Sequence, residues 1–253
     1  MEGLVGGAEV AIRTGRLLPG YQELSEGVNA PVRGIAATDN GEISVIAKKV
    51  GSRVLAVELI CAAYGRAAGL PIPEPLILID EKHQFHFGSA DTGHPSLAHF
   101  VNAEDASLIK TLSEWPGLVA AACFDELVVN PDRHDGNLLY DGESFTLIDH
   151  DLCLPHGMQP ESTFGPEGAN ILLKILIDSI PTDELSKRRA LKEIEAWIAD
   201  KSDISMDGAS LALNGACTPD TQNQLLSFIK ARLIKLADLL NDKVKPEQRR
   251  LEY

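Results

Sequence analysis

The chain has 253 residues, of which 44% are hydrophobic and 24% charged, with a formal net charge of −14. That length suffices for two small lobes or for one domain with a sizeable core. The acidic balance disfavours direct binding to nucleic-acid backbones and to anionic membrane surfaces. Cys61, Cys123, Cys153 and Cys217 are scattered without a C-x-x-C spacing, so buried thiols are expected in place of a zinc finger or a disulfide scaffold. With no leader pattern and no apolar run of about 20 residues, a cytoplasmic protein is expected. The basic tail Lys243, Lys245, Arg249, Arg250 reads as a solvated terminus.

The first third alternates strands and turns. Asp39-Asn40-Gly41 signals a tight turn, and Ile43–Val50 after it reads as a hairpin strand ending in Lys48 and Lys49. From Arg53 to Ala68, Val54, Val57, Cys61, Tyr64 and Ala68 recur at helical spacing. Gly69 stops this helix, and Pro71, Pro73 and Pro75 prevent its resumption. Two further strands are predicted at Leu76–Ile79 and Gln84–Phe87. Gly88, Ser89, Gly93 and Pro95 then mark a boundary near 88–95.

Beyond about Ser107 the pattern becomes helical. Leu118–Val129 is apolar except for Asp125 and Glu126 and has the length of a buried helix. A polar stretch, Asn130–Asn137, leads into two short apolar runs, Leu138–Tyr140 and Phe145–Ile148, around the hairpin signal Asp141-Gly142. Ala169–Ile180, Asp183–Ala199 and Thr221–Leu240 carry helical apolar stripes. The order is that of an α+β protein with a β-rich N-terminal part and a mostly helical C-terminal part.

Chemistry concentrates in Asn130-Pro131-Asp132-Arg133-His134-Asp135-Gly136-Asn137 and the following Ile148-Asp149-His150-Asp151. A polar loop held between rigid elements is a common place for a site. Phosphoryl transfer needs a carboxylate to orient the attacking hydroxyl, and oxygen ligands to hold magnesium against the phosphates. Asp132 and Asn137 stand five positions apart, the Asp-x-x-x-x-Asn spacing of kinase catalytic loops. Asp149 ends a strand after a tight hairpin, the place of a second metal ligand. The expected catalytic set is Asp132, Asn137 and Asp149, with Asn137 and Asp149 as metal ligands. Singly, an Asp or an Asn here is an ordinary turn former; the combination carries the reading. His134 and His150 raise a zinc alternative, but no H-E-x-x-H and no third histidine at ligand spacing supports it.

Asp132-Arg133-His134-x-Gly136-Asn137 followed by Ile148-Asp149-His150-Asp151-Leu152 resembles the HipA-like kinases, and is similar to the catalytic segment of phosphatidylinositol 3- and 4-kinases. Gly69-Leu70-Pro71-Ile72-Pro73-Glu74-Pro75 and Phe87-Gly88-Ser89 resemble segments of the same HipA-like group, so the likeness covers roughly 25–155. The resemblance implies a two-lobed protein-kinase-like fold, with a nucleotide-binding lobe over 1–90 and a helical lobe over 91–253. It implies ATP and Mg2+, transfer to Ser or Thr of a protein substrate, and an inhibitory partner protein of the toxin–antitoxin kind. A small-lobe lysine should reach the phosphates and pair with a helix glutamate. Lys49, which shares strand parity with the small Ala47, is favoured over Lys48, and Glu58 is the glutamate. Gly88, Ser89 and Ala90 are implied as adenine-binding hinge backbone, and histidine as a brace of the catalytic loop. Glu26–Gly34 is a weak candidate phosphate loop, and Ser162 and Thr163 follow where an activating phosphate would sit. Asp151 replaces a glycine in the related kinase pattern and stiffens that turn. The alternatives are a nucleotide-binding pseudokinase, for which loss of one of the three site residues would be the usual sign, and a small-molecule or lipid kinase.

Overall fold

The structure, a computed structural model, describes residues 12–24, 30–100, 106–163, 170–213 and 215–244. Turn chemistry starts the fold. Thr38 Oγ1 donates to the Gly41 carbonyl at 2.8 Å, and Gly41 takes a φ of +105°, a conformation glycine adopts without steric cost. Two strands, β3 (Val32–Thr38) and β4 (Gly41–Lys48), leave this turn antiparallel.

Three more strands complete a ring: β1 (Arg13–Leu17), β5 (Pro75–Ile79) and β6 (Phe85–Ala90). The hydrogen-bonded order runs β1-β5-β6-β4-β3, and β1 also pairs with β3, so the sheet closes on itself. The short β2 (Gln22–Glu23) extends the edge of β3 beyond β1. Period-two alternation sends Leu17, Ala36, Val45, Ala47, Leu76 and Leu78 inward. Closure needs small residues inside: a Cβ on Gly88 would lie 2.5 Å from the Leu78 side chain.

Helix α1 (Ser52–Ala67) connects β4 to β5 and is buried continuously from Leu55 to Gly65. A helix apolar on all sides must be covered on all sides. Ile77 and Phe87, on the outside of the barrel, join the same core as α1 and the later helices. At Gly65 the absent side chain lets α1 meet Phe124, since a Cβ there would be 3.2 Å from that ring.

The helical part comprises α2 (Ala106–Ser113), α3 (Leu118–Val128), α4 (Ile171–Ser179), α5 (Glu184–Lys201), α6 (Asp207–Ala212) and α7 (Pro219–Val244). Helix α3 is central, touching α4, α5 and α7. Asn170 caps α4 through the Leu173 N–H, and Asp183 caps α5 through the Ser186 N–H. The hairpin β7 (Leu138–Tyr140) and β8 (Phe145–Leu147) stands apart as its own sheet. The β-rich and helical parts thus follow the predicted order, with a barrel as the β-rich part. Among the described residues no helix is long and apolar enough to cross a membrane.

Candidate active site

Buried charge marks the site. Asp125 and Glu126, the two polar residues of α3, are fully buried. The Arg133 side chain, also buried, donates through Nε and Nη2 to the two Asp125 oxygens at 3.0 Å each. Its Nη1 donates to the carbonyls of Asn137 at 2.8 Å and Ile148 at 2.7 Å. One guanidinium therefore ties α3 to the loop carrying Asp132 and Asn137 and to the strand end preceding Asp149. Burial alone would lower the Arg133 pKa, but Asp125 outweighs that and holds it above its ordinary value.

Within the loop, Asn137 Nδ2 donates to the Asp132 carbonyl at 2.8 Å. That fixes the amide and leaves Oδ1 as its acceptor. Asp132 is half-exposed, as a group that must reach a substrate would be. The Ile148 N–H donates to the Asn137 carbonyl at 3.2 Å. Next comes Asp149 at φ +59°, a left-handed conformation unusual for a residue with a Cβ. The following residue is also held, since the His150 N–H donates to Glu58 Oε2 at 2.9 Å. Such strain persists only where neighbours over-determine it, and it clusters at functional sites.

From the barrel side, Lys48 Nζ lies 3.3 Å from Glu58 Oε1 and 2.7 Å from Asp149 Oδ1. The Asp149 contact has the character of an ion pair, because that buried oxygen meets no aligned donor among the described residues. Burial would lower the Lys48 pKa, but Glu58 and Asp149 together hold it above its ordinary value. Burial would raise that of Glu58, but the hydrogen bond from His150 and the charge of Lys48 bring it below the ordinary carboxylate value.

Two expectations are corrected. Strand parity favoured Lys49, but Ala47 points into the barrel, so the outward residue of the pair is Lys48; Lys49 lies past the strand end and is exposed. Gly88, Ser89 and Ala90 are not a hinge. They belong to β6, with Gly88 and Ser89 paired to both β4 and β5, and Ala90 N–H bound to the Glu74 carbonyl. The backbone of Gly88 and Ser89 and the N–H of Ala90 are engaged in the sheet and its edge. The chain leaves the barrel at Asp91, whose carboxylate takes Arg33 Nε at 2.8 Å.

His134 is half-exposed, and its Nδ1 accepts the Gly136 N–H at 3.0 Å. It braces the loop locally, while Arg133 does so from within. His150 is buried edge-on against Phe124. Among the described residues no three His, Cys, Asp or Glu side chains gather as a metal cage. Of the weak phosphate-loop candidate Glu26–Gly34, residues 26–29 lie outside the described residues, and Val32, Arg33 and Gly34 belong to β3. Sequence reasoning missed Asp125 and the part played by Arg133, although two acidic residues inside an otherwise apolar helix were the available signal.

No protein-family description matches the sequence, and no curated protein matches it. Among solved structures, the chain is similar to the Helicobacter pylori proinflammatory kinase CtkA. The TM-score is 0.55 at 12% identity, over 94% of this chain and 98% of that one. The fold is kinase-like. Within this kinase-like fold, Lys48, Glu58 and Asp149 form one connected group, and Arg133 joins the Asp132–Asn137 loop to it through the residue before Asp149.

Proposed function

We propose that the protein is a two-lobed kinase that transfers the γ-phosphoryl group of ATP, with Mg2+, to a hydroxyl, namely Ser or Thr of a protein substrate. The observation that carries this reading is Lys48 lying between Glu58 and Asp149, next to a loop fixed by a buried arginine. A lysine held charged by two carboxylates is poised to meet phosphate oxygens. Asn137 Oδ1 and the Asp149 carboxylate are a neutral and an anionic hard-oxygen donor, a set that suits a magnesium ion keeping phosphate and water ligands. When bound, the ion would neutralise charge building on the transferring group. Asp132 accepts or orients the proton of the acceptor hydroxyl, from a half-exposed position. Glu58 holds Lys48 with one oxygen and the backbone after Asp149 with the other, so helix and metal-binding segment move as a unit.

The test incubates wild type and Asp132→Ala with γ-labelled ATP and cell lysate, sorting the label among protein, lipid and small molecules. Label on protein, reduced about 10²- to 10⁴-fold in Asp132→Ala, supports the reading. Label confined to lipid or small molecules replaces the acceptor. A melting temperature raised by Mg-ATP with no labelled product makes the chain a nucleotide-binding module instead.

A further inference from the structure

Three stretches far apart in sequence leave a cavity of about 250 Å³ between them: the turn from β4 into α1, the start of β6, and the link between α6 and α7. None of Lys48, Glu58, Asp132, Asn137 or Asp149 lines it. Its apolar part follows from strand parity and register. Phe85 and Phe87 share the outer face of β6, and Phe87 is buried in the core that includes α1. Lys48, the last residue of β4, pairs with Phe87. Phe85 therefore lies two residues past the end of that strand and is left 38% exposed. Val50 and the buried Leu55 flank it, and Ala216 completes the wall. The polar part is three groups on the rim. Lys49, Ser52 and Gln84 are exposed, and among the described residues none of their side chains makes a hydrogen bond or ion pair. No carboxylate lines the cavity, in a chain of net charge −14. Nor does the first turn of α1 supply one, so nothing local offsets the Lys49 charge.

We propose that this cavity docks a segment of a partner protein in which a large apolar side chain stands beside an Asp or Glu. The apolar anchor enters against Phe85, Val50 and Leu55, and the carboxylate meets the Lys49 ammonium. The Ser52 hydroxyl and the Gln84 amide are further donors within the same rim. Charge selects the occupant, because an unpaired lysine above an apolar floor is complementary to an anion with an apolar neighbour and to no cation. Size selects it too. The volume falls short of the roughly 300–1,000 Å³ typical of small-molecule sites and suits one buried anchor, the kind of side chain that dominates interface energetics. A second copy of this chain, carrying the same −14, approaches against net repulsion. The site goes beyond the phosphotransferase reading and does not depend on it.

The test selects displayed random peptides on the immobilised full chain and measures Kd of the enriched sequences, made as fluorescent peptides, by anisotropy. Enriched sequences should place a large apolar residue next to Asp or Glu. Lys49→Glu and Phe85→Ala, both changes at exposed side chains, should each weaken binding at least about tenfold. Lys49→Gln removes the charge without reversing it and gives the same direction at smaller size; it decides the matter if Lys49→Glu does not fold. Asp132→Ala should bind as wild type does, which keeps this result separate from that of phosphate transfer. Failure to enrich any peptide, enriched sequences lacking carboxylates, or peptides that bind the Lys49 and Phe85 variants as tightly as wild type overturn the proposal. Displacement of the peptide by octanoate at equal concentration overturns it in favour of a small-molecule site. Self-association in sedimentation that Lys49→Glu abolishes overturns it in favour of a second copy of the chain.

Discussion

The barrel interior and the end of α3 are both fully buried, yet they are made of opposite materials. Inside the barrel lie Leu17, Ala36, Val45, Ala47, Leu76 and Leu78, with no charged side chain among them. At the end of α3, two carboxylates and two guanidiniums sit at 0–2% exposure within one helical turn and its partners. Apolar contacts return free energy in rough proportion to area and care little for direction. Buried ion pairs return little net stability against their desolvation cost, but they have direction. Arg133 fixes carbonyls from two separate stretches of chain, and Arg232 two from a single stretch, relative to the same helix. The barrel supplies stability, and the charged turn supplies location.

The sharpest break of that contrast is Arg133→Met against Leu17→Ala. Removing Arg133 leaves Asp125 buried and unpaired, which costs about 3–5 kcal/mol in urea unfolding, and phosphate transfer by the remaining folded fraction should fall at least about 100-fold. Leu17→Ala should cost about 2–5 kcal/mol as a core truncation, with specific activity per folded molecule unchanged. If the barrel mutant loses activity at equal folded fraction, the division of labour is wrong.

A smaller effect separates neighbours on one strand. Lys48→Met should raise the ATP KM about tenfold or more, the loss of one charge-assisted contact, whereas Lys49→Met should stay within about twofold. Reversal of the pair would restore the parity argument and undo the assignment of the barrel's outer face.

The mildest tests are in pH. Glu58 has a lowered pKa, so its contribution is present above its ordinary value of 4.5 and disappears as pH falls through its folded value. Lys48, raised, contributes fully below 10.5 and loses that as pH climbs through its folded value. The stability gap between wild type and Glu58→Gln should hence be flat at neutral pH and close in acid. On the barrel, the Gln84 N–H and then His86 hold Asp80 down to about 2. Its contribution begins to fade below 3.8 and is gone once pH drops past about 2. Thermal melts of Asp80→Asn beside wild type should converge over that lower window.

Much of this was legible in the residues. The Asp39-Asn40-Gly41 turn, the helix from about 53, the α3 span and the Asp141-Gly142 hairpin all fall within a residue or two of their observed positions, because turn chemistry and periodicity are local. Ring closure was not legible. Arg13–Leu17 has no strong strand composition, and its partners lie at 36–38 and 76–79; pairing over such separations leaves no local trace. The lysine was misjudged for a related reason: parity says which residues share a face, but the topology decides which face is inside. Asp132, Asn137 and Asp149 were chosen from spacing and strand position, which do not describe how the Asn137 side chain meets the Asp132 carbonyl and the Asn137 carbonyl meets the residue before Asp149. The short α6 escaped notice, six residues being too few for a periodic signal.

Barrel closure also constrains the order of assembly. Strand β1 runs parallel to β5, about sixty positions later in the chain. As the polypeptide emerges from a ribosome, the β3–β4 hairpin can form early, but the cylinder cannot seal until α1, β5 and β6 have been made. Sequence-distant pairing of this sort is slow. The leading strand must wait with at most one edge matched, and the β5 edge it will finally join is itself exposed until then.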